Sequence, residues 1–278
     1  MPIIKSIENK YIFFMRNEQP SMERHHGLTK EQIEQEFQQQ NRLLEKIYES
    51  GMQAYIQDTP DVNKAFNLSD RDLRCIDEGT PGGLHGAGSG ILLGSGTAAK
   101  IYKPAGVTGV YSHEGCGAAA LYAKEKGLPA DEADELGRQF AQELAAKLGV
   151  PYQGHISFGQ MRRPEAPHIA RVAYYDGTGS FDYSKIKELP PGFIISRRWL
   201  PEGNAQQELK IAIDIALGQH GFGGLIDDKN PFVISSIGNQ DLTVEDLAQE
   251  IQSLAAEYGG RVKVDGFSAP DRRERESN

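Results

Sequence analysis

The stretch VTGVYSHEGCGAAALYAKEKG, Val107 to Gly127, changes its character once, inside a His-x-x-Cys motif. Val107 to Ser112 reads as a short apolar strand that delivers His113. Cys116 to Gly127 reads as a helix that opens directly after the motif, carrying Ala118, Ala119, Ala120, Leu121 and Ala123. Open α/β sheets gather their ligands at such junctions, at the carboxyl ends of parallel strands. Upstream, Leu73-Arg74-Cys75-Ile76-Asp77 reads as another strand, and it holds the other of the chain's two cysteines in a Cys-x-Asp pattern.

His113 lies 38 residues beyond Cys75. Two thiolates and an imidazole make a three-ligand set for zinc or a similar soft ion, with a fourth position open. Three protein ligands plus water is the catalytic pattern, whereas structural zinc is closed with four. A disulfide is the competing reading. The N-terminus, Met1-Pro2-Ile3-Ile4-Lys5, has no basic region followed by an apolar run, so a cytoplasmic protein is expected, and there a metal site is the better reading of paired cysteines. Strand alternation puts Cys75 and Asp77 on one side and turns Arg74 and Glu78 to the other. Gly115 and Gly117 are expected to let the backbone pass close to the metal, and the amides after Cys116 to donate to its thiolate.

Strands and helices alternate outward from these motifs. Thr29 with Gln32 caps a helix from Leu28 to Ser50, with a partial apolar stripe of Ile33, Phe37, Leu43, Leu44 and Ile47 that suits an edge position. Ala54 to Ile56, Ala170 to Tyr175, Phe193 to Ser196, Pro231 to Ile237 and Arg261 to Val264 read as strands. Pro129 to Leu148, Asn204 to Gly218 and Thr243 to Tyr258 read as helices. Asp58 to Ser69 reads as loop, and no internal repeat is visible. The expected architecture is an α/β sheet layered by helices, with an N-terminal helical extension over 1–52, a metal-binding domain over 53–270 and a polar tail over 271–278. A net charge of −9 argues against nucleic acid and against an anionic membrane surface, and no apolar run is long enough to span a bilayer. A small-molecule substrate is the expected partner. The apolar patch Tyr11 to Met15 and the Leu28 to Ser50 helix suggest a homo-oligomer contact.

Cys75-x-Asp77 followed by His113-x-x-Cys116-Gly117 resembles the zinc site of β-class carbonic anhydrases. Arg74 to Gly79 with Pro81-Gly82-Gly83, and Gly115-Cys116-Gly117, resemble more closely the cadmium-type (ζ) relatives. The resemblance covers roughly Leu73 to Gly238 and is specific at the two motifs. It implies a β/ζ carbonic anhydrase-like sheet and a lyase that hydrates carbon dioxide or a close analogue. It also implies Cys75, His113 and Cys116 as ligands of zinc, or alternatively cadmium or cobalt, and Asp77 as the residue that orients the hydroxide. In both classes an arginine two residues after the aspartate holds it; here that residue is Gly79, and Arg71 and Arg162 are the candidate substitutes. A metal-binding homologue without hydration, or another metal-dependent hydrolase using Asp77 or Glu114 as base, are the alternatives.

Other features read blandly. The glycines from Gly79 to Gly96 fit neither a dinucleotide fingerprint, because position 91 is Ile91, nor a P-loop; a tight loop lining the site is the reading. His85 reads as a hydrogen-bonded loop histidine before a proton shuttle, His25 and His26 as a solvated pair, and His155, His168 and His220 as structural. Glu114 reads as pointing outward, and no Gly-x-Ser-x-Gly elbow is present. Cys75→Ser and Cys116→Ser are each expected to abolish tight metal binding, as read by metal content after dialysis; a full equivalent retained by either would refute the assignment.

Overall fold

The computed structural model describes residues 28–68, 70–161, 168–218 and 220–270. The Tyr11 to Met15 patch, His25, His26, Arg162 and the 271–278 tail lie outside them.

Two parallel four-stranded sheets form the body. In the first, β1 (Leu73–Arg74) lies between β2 (Leu84–His85) and β3 (Val110–His113), and β4 (Tyr152–Ile156) lies outside β3. In the second, β5 (Val172–Asp176) lies between β6 (Gly192–Ile195) and β7 (Phe232–Gly238), with β8 (Val262–Ser268) outside β7. Parallel strands need crossovers, and α-helices supply them except from β1 to β2 and from β5 to β6, which are joined by loops. In the first half these are α3 (Ser95–Tyr102), α4 (Gly117–Glu125) and α5 (Ala133–Leu148); in the second, α6 (Glu202–Leu217) and α7 (Val244–Ala256). The α/β expectation holds.

The two sheets have the same strand order, reached by the same path: one strand outward, then a crossing to the other side of the starting strand. Register makes the correspondence residue by residue. Leu73 sits opposite Leu84 and Val110, and Val172 opposite Gly192 and Val233. Counting forward, Cys75 corresponds to Tyr174, Asp77 to Asp176 and His113 to Ser236. Both aspartates cap the same turn: Asp77 Oδ1 accepts the Gly79 amide at 2.7 Å, and Asp176 Oδ1 accepts the Thr178 amide at 2.8 Å. The repeat invisible in sequence is therefore present in topology, because a buried strand demands apolar residues and not particular ones.

Sequence-derived boundaries shift at several places. Ala54 to Ile56 is not a strand but part of helix α2 (Met52–Asp58), which buries Met52 and Ile56 one turn apart; a three-residue apolar run does not discriminate the two. The strand read over Leu73 to Asp77 ends at Arg74, so alternation does not extend to the residues beyond. Asp58 to Ser69 contains a 3₁₀ turn, Val62–Phe66, that buries Ala65 and Phe66. Strands β2 and β4 and helix α3 were not legible: β2 has two residues, β4 is interrupted by Gly154, and α3 buries only Ala98 and Tyr102.

Helix α1 (Lys30–Ser50) carries the expected Thr29/Gln32 capping box. It does not sit at an edge. Its Leu44 and Ile47 join Val172, Tyr174, Ile194, Val233 and Ile237, the side chains of one face of the second sheet. The other face, Ala173, Tyr175, Phe193, Ile195, Phe232 and Ile234, packs with α6 and α7. Midway along the helix, buried Gln40 accepts the Arg171 amide at 3.0 Å and donates to the Ile169 carbonyl. Fully buried Arg171 stacks on Phe37, 4.5 Å from its ring centre, and donates to Asn41 and to the Pro231 carbonyl. Gln40→Leu would strand two backbone groups, and each such loss costs roughly 1–3 kcal/mol. Its urea midpoint is expected to fall accordingly with unchanged slope; an unchanged midpoint would show that the clasp is not energetic.

Candidate metal centre

The first sheet's path reverses at β1, so its switch point is the crevice between the carboxyl ends of β1 and β3, the place where such sheets bind ligands. Cys75 follows β1, His113 ends β3, and Cys116 is the N-cap of α4. All three are buried, and a ligand atom of each lies within 4.8 Å of the others. The thiols are free rather than joined in a disulfide. This Cys-His-Cys group could hold a metal such as zinc.

The surroundings prepare these atoms as ligands. His113 Nδ1 donates to the Glu114 carbonyl at 3.0 Å, which puts the lone pair of the neutral ring on Nε2. The Gly88 amide donates to Cys75 Sγ at 3.2 Å. A hydrogen bond from the Cys75 thiol holds Cys116 below the usual thiol range, and the Ala119 and Ala118 amides at the start of α4 act in the same direction. The same shared hydrogen bond, together with burial, pushes Cys75 upward.

Glycine is required at two places beside the thiols. Gly88 adopts φ +55, and a Cβ there would come within 2.6 Å of Ile91 and 3.4 Å of Cys116 Sγ. Gly115 adopts φ +67, with the Phe158 ring 2.5 Å from its would-be Cβ. Gly117 faces open space, so crowding does not demand glycine there. The glycine-rich run is a 3₁₀ segment, Ala87–Leu93, whose left-handed residues 88–90 tuck its backbone against the thiols.

Past the end of β1 the chain turns, and Glu78 is not carried away from Asp77 as strand alternation predicts. Asp77 and Glu78 are both buried and both face His168: its Nδ1 lies 3.5 Å from Asp77 Oδ2 and 3.0 Å from Glu78 Oε2. These three form the other cluster of ligand-type side chains among the described residues. His168, read as structural, thus belongs to the site's surroundings; a contact across 90 residues leaves no local signal. Arg74 does turn away, donating to the Pro81 carbonyl and to Asp70. Arg71 does not reach Asp77: it donates to the Ala105 carbonyl and lies over Trp199.

The remaining candidates are tied down. His85 is buried, its Nδ1 donates to the Cys75 carbonyl at 2.6 Å, and burial pushes its pKa down to about 4, so the ring is neutral and does not shuttle protons at neutral pH. Glu114, read as outward-pointing, accepts the Phe158 amide at 2.9 Å. His155 bonds Ser112 at 2.8 Å. A residue not foreseen from sequence is Glu208 of α6, fully enclosed, with Oε1 accepting the Ala87 amide at 2.9 Å. No family model, curated protein or solved structure matches the chain.

Burial pushes the Glu208 carboxyl from its ordinary 4.5 up to about 8. The folded protein therefore holds a proton that the unfolded chain has released, and the associated stability is full below pH 4.5 and lost as pH rises through about 8. Unfolding free energy is expected to fall by roughly 1.4 kcal/mol per pH unit between pH 5.5 and 7, and Glu208→Gln to flatten this slope while keeping the Ala87 contact. Parallel urea titrations of both proteins across that range check it; identical slopes would refute it.

Proposed function

We propose that this chain is a metal-dependent lyase of the carbonic anhydrase type, hydrating carbon dioxide or a close analogue such as carbonyl sulfide. One observation carries the reading: Cys75, His113 and Cys116 converge, buried, in the switch-point crevice with their ligand atoms within 4.8 Å of one another, and the buried Asp77 lies two residues beyond Cys75. The donor set suits zinc first, with cadmium and cobalt as sulfur-tolerant alternatives. When bound, such an ion supplies water activated near pH 7 instead of about 16.

The chain's own residues do the rest. The amides of Gly88, Ala118 and Ala119 favour the thiolate forms of Cys75 and Cys116. The Glu114 carbonyl fixes the His113 tautomer. Asp77, pinned at Oδ1 by the Gly79 amide, would accept a hydrogen bond from the attacking water and orient it toward the substrate. Because Gly79 supplies an amide where the resembling enzymes place an arginine side chain, part of that anchoring comes from the backbone. The burial of Cys75, Asp77, His113 and Cys116 suits a substrate of very few atoms.

The substitution at Gly79 favours one second reading: a homologue that keeps the metal for structure or regulation and does not hydrate. Both bases considered for a different hydrolase accept a backbone amide at one oxygen, Asp77 from Gly79 and Glu114 from Phe158. The deciding experiment is stopped-flow hydration by protein loaded with one equivalent of zinc, then cadmium, beside Cys75→Ser. Acceleration by wild type and none by the variant is the expected result. A fully loaded wild type without acceleration would overturn hydration in favour of the second reading.

A further inference from the structure

We infer that Glu208, a side chain of the second half, is a positioning residue of the metal centre: through the Ala87 amide it holds the left-handed turn that presents the Gly88 amide to Cys75. This rests on the metal centre proposed above and not on the hydration chemistry. Residues 88–90 run through φ +55, +57 and +92, and the middle one is Ser89. A residue with a side chain costs roughly 1–2 kcal/mol in that region. Such a turn persists only where its surroundings over-determine it. The Gly88 amide that it presents meets Cys75 Sγ at 3.2 Å. A donor placed on a ligand sulfur is the kind of outer contact that tunes a metal site.

Two supports of the turn come from the first half. The Ser89 hydroxyl donates to the Tyr111 carbonyl at 2.6 Å. Tyr102 closes over the glycines at either end: a Cβ on Gly86 would come within 2.1 Å of its hydroxyl, and one on Gly90 within 3.2 Å of its ring. Glu208 is the support from the second half, its Oε1 accepting the Ala87 amide at 2.9 Å, one residue before Gly88. It is the ionisable residue among the buried positions of α6, which are otherwise Ala205, Leu209, Ile211, Ala212, Ile213 and Ala216. Its Oε2 meets no hydrogen-bond partner among the described residues. A buried carboxyl with one idle oxygen costs stability, and an aliphatic side chain would fill the position without that cost. Local rules are broken in this way at functional sites. Here the oxygen that is used grips the backbone beside the thiols.

The test loads the full chain with one equivalent of cobalt and reads the sulfur-to-cobalt absorption bands and the cobalt affinity in competition with EDTA. Glu208→Leu removes the acceptor at similar size, Glu208→Asp withdraws it by one methylene, and Glu208→Gln keeps it. Gln40→Leu, whose partners are Glu36, Ile169 and Arg171, is the control for lost stability alone. Glu208→Leu is expected to move the bands to longer wavelength, because a thiolate without its donor is richer in electrons, and to weaken cobalt binding about 10- to 100-fold. Glu208→Asp should do the same to a lesser degree, and Glu208→Gln and Gln40→Leu should match wild type. Wild-type bands and affinity in Glu208→Leu overturn the inference; if that variant does not fold, the same result in Glu208→Asp overturns it. Equal changes in Gln40→Leu also overturn it, since stability alone then accounts for them. If the variants behave as expected while wild type hydrates nothing, Glu208 keeps its role and the lyase reading alone falls. A wild type that binds no cobalt removes both.

Discussion

The fold of this protein turns on a single close approach, the glycine backbone of residues 86–90 against two thiols. The Gly88 amide meets Cys75 Sγ, and its missing side chain leaves room for Cys116. That approach ties the end of β1 to the start of α4 and so fixes both edges of the switch-point crevice. It is secured from outside by Glu208, whose carboxyl takes the Ala87 amide, and by Ser196, whose hydroxyl takes the His85 amide. The buried carboxylic acid is thus explained by geometry: it satisfies a backbone donor in a loop folded too tightly to satisfy it locally.

Those outside supports come from the other half, Glu208 from its helix α6 and Ser196 from just past β6. The Ile194 amide donates to the Ile76 carbonyl at 3.1 Å, and the Tyr183 hydroxyl to the Glu78 carbonyl at 2.7 Å, so the second half grips the segment that carries Cys75 and Asp77. The two halves share strand order and an aspartate turn, yet only the first has thiols at the ligand positions. The second has Tyr174, whose ring packs between Phe181 and Tyr183 where a ligand set would need space. One copy of the topology holds the ligand cluster and the other serves as its wall.

The Cys-His-Cys cluster was legible because metal chemistry is restrictive. Few residue types bind a soft ion, the chain has two cysteines, and a histidine three residues from one of them narrows the set to Cys75, His113 and Cys116. Long periodic helices with capping signals, such as Lys30–Ser50 and Val244–Ala256, were equally readable. The strand-alternation argument failed at Glu78 because it assumed a strand where the chain had already turned. It could not foresee that both acidic side chains would meet one histidine.

Local sequence determined the element types, the parallel α/β class and the identity of the three metal-type side chains, since these depend on periodicity, caps and ligand chemistry carried within a few residues. Tertiary structure alone decided the duplicated strand order, the docking of α1 across a sheet face through Gln40 and Arg171, and the gathering of His168 and Glu208 around the centre. Each of these is a contact between residues far apart in the chain, set by how buried polar groups find partners once the sheets have packed.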